Sequence, residues 1–181
     1  MIVTIKRIIT TIFLFLAAVQ ALWPASAACA PESPEYLIKA GFIYKIARFV
    51  EWRDGQSPSQ DLILWIIGED PFGDNIRAIE GQTVNGRRLV VHRAAGLEAV
   101  KKCHILFICP SEMERMEGYL RSLQGSTVLT IGDTPGFARM GGIINLLKVG
   151  GSIRFEVNVE AAGRAGLALS SELLKLAIIV K

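Results

Sequence analysis

Apolar positions along the chain switch between helical and extended spacing, and the order of the switches predicts the fold. Ser33-Pro34-Glu35 supplies an N-cap, a first-turn proline and an early acid. Tyr36, Leu37, Ala40, Ile43, Tyr44, Ala47 and Val50 then recur at three- and four-residue spacing. Phe42, Ile46 and Phe49 add a second apolar stripe, so the spacing predicts a helix buried on more than one side and ending around Trp52. After a polar loop over 53–60, residues 62–67 are continuously apolar, the signature of a strand covered on both faces in a parallel sheet.

Asp70-Pro71 then predicts the cap and first turn of a short helix over 70–80. Asn85-Gly86 is a turn signal, followed by a strand over 88–92, a short helix over 97–102 and an apolar strand over 105–109. Ser111 and Glu114 have capping-box spacing ahead of Met113, Met116, Leu120 and Leu123, and Gly125 is placed as the C′ residue. A fourth strand over 127–131 leads into the loop Gly132-Asp133-Thr134-Pro135-Gly136, and Gly141-Gly142 ends an irregular piece.

Gly150-Gly151 joins strands over 143–149 and 152–159 as a two-residue hairpin. In the second strand Ile153, Phe155, Val157 and Val159 alternate with Arg154, Glu156 and Asn158, so one face is buried and the other polar. After a small-residue segment over 161–166, Ser170 caps a final helix whose Leu173, Leu174, Ala177, Ile178 and Val180 are expected to close the core. Strands separated by helical segments call for right-handed crossovers. The expected fold is a single-domain layered α/β sandwich. Its sheet is mostly parallel, with a C-terminal antiparallel hairpin and flanking helices.

The N-terminal segment has a different character. Lys6 and Arg7 precede an apolar stretch from Ile8 to Trp23, and Ala25-Ser26-Ala27 supplies the small residues a signal peptidase reads. The stretch is about 16 residues, short of the ~20 a spanning helix requires. Residues 1–27 are therefore expected to be a cleaved export signal, and residues 33–181 the domain, working in the periplasm. The positive mean hydropathy of +0.38 is inflated by this segment. Its removal takes away two basic and no acidic residues from a chain of net charge +3, leaving the rest nearly neutral. Nothing then steers the protein toward nucleic acid or anionic lipid. The 51% hydrophobic content excludes intrinsic disorder.

No nucleophile elbow, phosphate-binding loop, dinucleotide fingerprint or H-E-x-x-H motif occurs, and the expectation is a protein without catalytic residues or cofactor. Residues 68–73, after the first sheet strand, occupy the ligand-crevice position of α/β folds but carry Glu69 and Asp70 where phosphates would approach. Cys103 and Cys109 bracket a strand whose six extended steps separate their Cα atoms by about 20 Å, so they are not expected to bridge each other. Cys29 is left without an assigned partner. His92 and His104 have no ligand spacing with the cysteines, so no metal site is expected. His104 beside Cys103 is read as packing, because adjacent strand residues face opposite ways. Asp133 is read as a turn former or the rim of a cleft. Arg154, Glu156 and Asn158 are candidates for a polar contact surface.

Several stretches together resemble the YfiR family of periplasmic proteins. They are Lys39-Ala40-Gly41-Phe42-Ile43-Tyr44 with Phe49-Val50-Glu51-Trp52, Gly68-Glu69-Asp70-Pro71-Phe72-Gly73, Gly86-Arg87 and Cys103-His104-Ile105-Leu106-Phe107-Ile108. They continue with Val128-Leu129-Thr130-Ile131, Phe137, Gly141-Gly142-Ile143-Ile144-Asn145, Arg154-Phe155-Glu156-Val157-Asn158, and the segments around Ala161 and Ser170. The resemblance implies a non-enzymatic regulator, often dimeric, that binds and inhibits the periplasmic sensor region of an inner-membrane diguanylate cyclase. Cyclic-di-GMP output and biofilm would follow. It also implies sequestration by an outer-membrane lipoprotein. Phe42, Tyr44 and Trp52 are the apolar candidates for the partner contact. Redox control through disulfides does not carry over, since neither the first sheet strand nor the hairpin holds a cysteine. The alternative reading is a small periplasmic solute-binding protein serving a transporter or sensor kinase.

Overall fold

Pro34 opens helix α1 (Pro34–Arg48), as its fixed φ favours. The computed structural model describes residues 34–52, 61–100 and 102–181. The expected export signal and Cys29 lie outside them. In α1, Lys39, Ala40, Ile43, Ile46 and Ala47 are buried against the sheet. The helix stops at Arg48, short of the expected Trp52. Val50–Trp52 forms strand β1, paired antiparallel with a late strand, β9 (Leu167–Leu169). Val50 is fully buried in the same core as the α1 face, and the extended backbone gives the segment its pairing with β9.

The main sheet contains β2 (Leu62–Ile67), β3 (Thr83–Val84), β4 (Arg87–Ala94), β5 (Ile105–Ile108) and β6 (Leu129–Gly132), then β7 (Ile144–Val149), β8 (Ser152–Asn158) and β10 (Ile178–Val180). Its order is β10-β8-β7-β6-β5-β2-β4-β3. From β4 through β2, β5 and β6 to β7 every neighbour is parallel, the doubly wound order 2-1-3-4-5. β8 turns back on β7, and β10 runs parallel to β8. The mostly parallel sheet with an antiparallel C-terminal hairpin agrees with the hydrophobic pattern. Both two-residue turns form as expected: Asn85 and Gly86 have φ of 49° and 82°, and Gly150 and Gly151 have 55° and 81°.

Alternation along the strands divides the core. Leu64, Ile66, Ile105 and Phe107 pack toward α1, while Ile67, Leu106 and Ile108 pack with Met116 and Leu120 of α2 (Met116–Ser122) and with Phe137. Phe137 sits between two glycines. A Cβ on Gly132 would come within 2.6 Å of its ring, and one on Gly142 would overlap it.

Several short helices differ from expectation because nearby polar groups have other partners. Residues 70–80 form only a 3₁₀ turn, Gly73–Ala78, since the Asp70 carboxylate accepts from the Phe72 amide (2.8 Å) and closes a local turn. Where a helix is expected over 97–102, the described residues form the 3₁₀ turn Leu97–Ala99. The Ser111 hydroxyl accepts from the Glu69 amide (2.9 Å) instead of capping α2, which starts without a side-chain cap. The small-residue segment is helix α3 (Val159–Arg164), N-capped by Asn158. Ser170 caps α4 (Ser171–Leu176) as expected, but Ile178 and Val180 do not close the core. They belong to edge strand β10, where Ile178 is 43% exposed.

Candidate functional site

In doubly wound sheets the ligand crevice lies beyond the carboxyl ends of the strands, where the winding reverses. Here that point lies between β2 and β5, and the loops leaving them are clasped together. Gly68 has φ +95°, and a Cβ there would strike the Ser111 hydroxyl and lie 2.8 Å from Glu112 Cγ. Asp70 accepts from Arg93 Nε at 2.6 Å, and buried Glu112 accepts from the Tyr119 hydroxyl at 2.9 Å. The loop after β6 adds Asp133.

The first turns of α1 fill this crevice. Lys39 Nζ lies 2.8 Å from Asp133 Oδ2 and 2.7 Å from Glu35 Oε1. The Tyr36 hydroxyl donates to the same Asp133 oxygen at 2.9 Å, and Lys148 reaches Glu35 Oε2 at 2.9 Å. The Lys39 ammonium stands 4.4 Å from the Tyr36 ring centroid. That ring meets Phe72 edge-on at 5.3 Å, and Phe72 meets Phe107 likewise at 4.8 Å. The side chains of Lys39 and Asp133 are 5% and 1% exposed.

Ionisation follows from these contacts. The Lys39 hydrogen bond, then Lys148, holds the Glu35 carboxyl below its ordinary value. Burial first, then the Asp133 charge, pushes the Tyr36 phenol up. Burial, reinforced by Asp70, Asp133, Glu112 and Glu69, also raises the Cys109 thiol. The site thus holds a neutral thiol, a neutral phenol and a carboxylate already paired with the chain's own ammonium. Chemically it is a lock, with the cation supplied from within. Among the described residues no three His, Cys, Asp or Glu side chains converge as a metal site, and no helix is long and apolar enough to cross a membrane.

The residues singled out from the sequence do not gather at one place. Phe42 packs on Phe155 with centroids 6.0 Å apart, the Tyr44 hydroxyl donates to Thr83 O at 3.1 Å, and Trp52 Nε1 donates to His104 O at 3.2 Å. All three are partly buried against the α1-side core. On β8, Arg154 is exposed, Glu156 accepts from Asn145 Nδ2 at 3.0 Å, and Asn158 is buried. Asn158 donates to Ala138 O and accepts from the Ala161 amide, each at 2.8 Å. Cys103 and Cys109 are free thiols at opposite ends of β5.

A model of the YfiR/HmsC-like family matches residues 36–178, nearly the whole span from α1 to β10. The chain belongs to this family. The family is one of periplasmic regulators of cyclic-di-GMP signalling. In fold the chain is similar to a conserved domain protein from Vibrio cholerae O1 biovar eltor, with a TM-score of 0.50 at 13% identity. The alignment covers 82% of this chain, which spans 60% of the length of the Vibrio chain. At that identity the likeness concerns fold alone.

A few of the motif residues that carried the family resemblance belong to the lock or brace its surroundings. Lys39 and Phe72 build the crevice cluster, and Gly142 makes room for Phe137. Buried Arg87 places a guanidinium nitrogen 2.7 Å from His104 Nε2, while His104 Nδ1 accepts from the Ile63 amide at 3.0 Å. The pairing of Lys39 with Asp133, 94 residues apart, had no local signal in the sequence.

Proposed function

We propose that this protein is exported by way of residues 1–27 and holds an inner-membrane diguanylate cyclase inactive by binding its periplasmic sensor region. The observation that carries the reading is the filled crevice. A small substrate entering there would have to pull Lys39 off a buried carboxylate and leave that charge uncompensated. This supports a protein that acts through its outer surface.

The partner surface in this reading is the face of β7, β8 and β10 on the α2 side of the sheet. The apolar cluster under α2 includes residues of β2, β4 and β5 but none of β7, β8 or β10. Exposed Arg154 on β8 is flanked by Leu147, its cross-strand partner on β7, and by Val149 and Ile178, which are 48% and 43% exposed. In this proposal Arg154 and Glu156 make the polar contacts, Asn158 fixes the end of β8, and Phe42 backs β8 from the α1 side through Phe155, while Tyr44 and Trp52, held at β3 and just ahead of β5, stay outside the contact. An outer-membrane lipoprotein would relieve inhibition by binding the free form in preference to the cyclase-bound one. A homodimer is the other occupant this face admits.

Deleting the gene should raise cellular cyclic-di-GMP, and restoring the full chain should lower it again. A chain carrying Arg154→Glu should be exported and folded yet fail to lower it. Unchanged cyclic-di-GMP after deletion would overturn the proposal.

A further inference from the structure

A cavity of about 230 Å³ opens between the end of α2, the loop before β7 and helix α3, with none of the crevice residues in its lining. Its floor is apolar: Leu120, Val128, Ile143 and Ala161 are all buried core residues. Two arginines border it, Arg121 in the last turn of α2 and Arg164 in the last turn of α3. Both are exposed, and neither makes an ion pair or side-chain hydrogen bond among the described residues.

Thr130 lines the same cavity and is only 4% exposed. Its Oγ1 accepts from the Ile143 amide at 3.0 Å, and its own proton has no acceptor among the described residues. A buried donor without an acceptor is a group the fold leaves for something else. One lining carboxylate, Glu117, stands against the two guanidiniums, so the rim keeps a net positive charge.

We propose that this cavity binds a small amphipathic carboxylate, its tail on the apolar floor and its head at Arg121, Arg164 and the Thr130 hydroxyl. At the ~30 Å³ a water occupies, the space suits a ligand of about eight non-hydrogen atoms, the size of hexanoate. The charged head explains the arginines, which a purely apolar ligand would leave idle, and the apolar floor separates the site from one built for inorganic anions. This site is distinct from the surface proposed for the cyclase and does not depend on that assignment.

Titration of the full exported domain with sodium hexanoate, followed by backbone amide shifts, tests the proposal. Saturable binding on the order of 0.1 mM is expected for a ligand of this size. The largest shifts should fall at Leu120, Thr130, Ile143 and Ala161. Arg121→Gln and Arg164→Gln, both at exposed positions that should not disturb folding, should each weaken binding about tenfold. Arg88→Gln, on the far strand β4, should leave it unchanged. Hexanol and acetate should each bind at least tenfold more weakly. Absence of saturable binding by hexanoate overturns the proposal, as does binding that ignores both cavity substitutions. Equal binding of hexanol overturns it too, because the arginines would then have no part.

Discussion

The carboxyl-end crevice and the β8–β10 end of the sheet are opposites. At the crevice, an ammonium, two carboxylates and a phenol are packed under α1 with two aromatic rings beside them. At the β10 end, Ile178 and Ile179 are 43% and 50% exposed, and β10 pairs with β8 alone. The opposite sheet edge also differs from β10: past the two residues that β3 covers, β4 carries exposed Arg93, and a charge on an edge protects it from stray pairing. The polar groups of this molecule are turned inward where the fold usually takes ligands, and apolar groups are turned outward at one edge.

The largest test of this contrast removes the cation from the lock. Lys39→Met leaves buried Asp133 with the Tyr36 hydroxyl but no cation, and breaking a buried pair this way costs about 3–5 kcal/mol. Chemical denaturation should show that loss. Adding Asp133→Leu should recover most of it, since two apolar groups can replace a buried pair. A loss under about 1 kcal/mol for Lys39→Met would mean the crevice is wet and available to ligands, and the contrast with the β10 end would collapse.

Next in size is the clasp between the loops. Gly68→Ala meets both a positive φ and a clash with Ser111 and Glu112, which together should cost about 1–3 kcal/mol. Gly81, also at positive φ but with open space around its would-be Cβ, is the control. Gly81→Ala should cost less, because only backbone strain remains.

How much of this was legible beforehand depended on distance along the chain. Periodicity located α1, β2 and the hairpin because their signals are local. It missed β1 and β9, three residues each, since either strand exists only through its pairing with the other. It overran α1 to Trp52 because apolar spacing continues past Arg48 while the backbone changes to a strand. Asp133 read as a turn former or the rim of a cleft, but its partners Tyr36 and Lys39, nearly a hundred positions away, gave no local signal. Asn158 read as part of a polar face, but burial and the start of α3 turn it into a cap.

The pH dependence of stability sharpens the comparison further, with opposite signs for two neighbours. Glu35 is held below its ordinary 4.5, so its contribution is present above that pH and lost as pH falls through the lowered folded value. Tyr36 is held above its ordinary 10.0, so its contribution is present below pH 10 and lost as pH rises beyond it. Glu35→Gln should flatten the acid limb and Tyr36→Phe the alkaline one, in denaturation midpoints measured across pH. Each limb should leave the other unchanged. Thiol labelling gives a companion reading: burial pushes Cys103 up to about 12, so it should resist alkylation at pH 8 until the chain unfolds.

The smallest effect on stability is expected at the open end. Ile178→Lys, at an exposed edge position, should change the unfolding free energy by no more than about 0.5 kcal/mol. A charge on an edge strand blocks pairing and apolar docking, so the same substitution should abolish capture of the cyclase's periplasmic region by the tagged protein. The crevice variant Lys39→Met gives the reverse pattern when assayed at a temperature where it remains folded: stability falls and capture persists. If Ile178→Lys destabilised the protein as much as Lys39→Met, β10 would be part of the core after all. If both variants captured the partner equally well, the contact would lie elsewhere on the surface, and the edge would be exposed without a binding role.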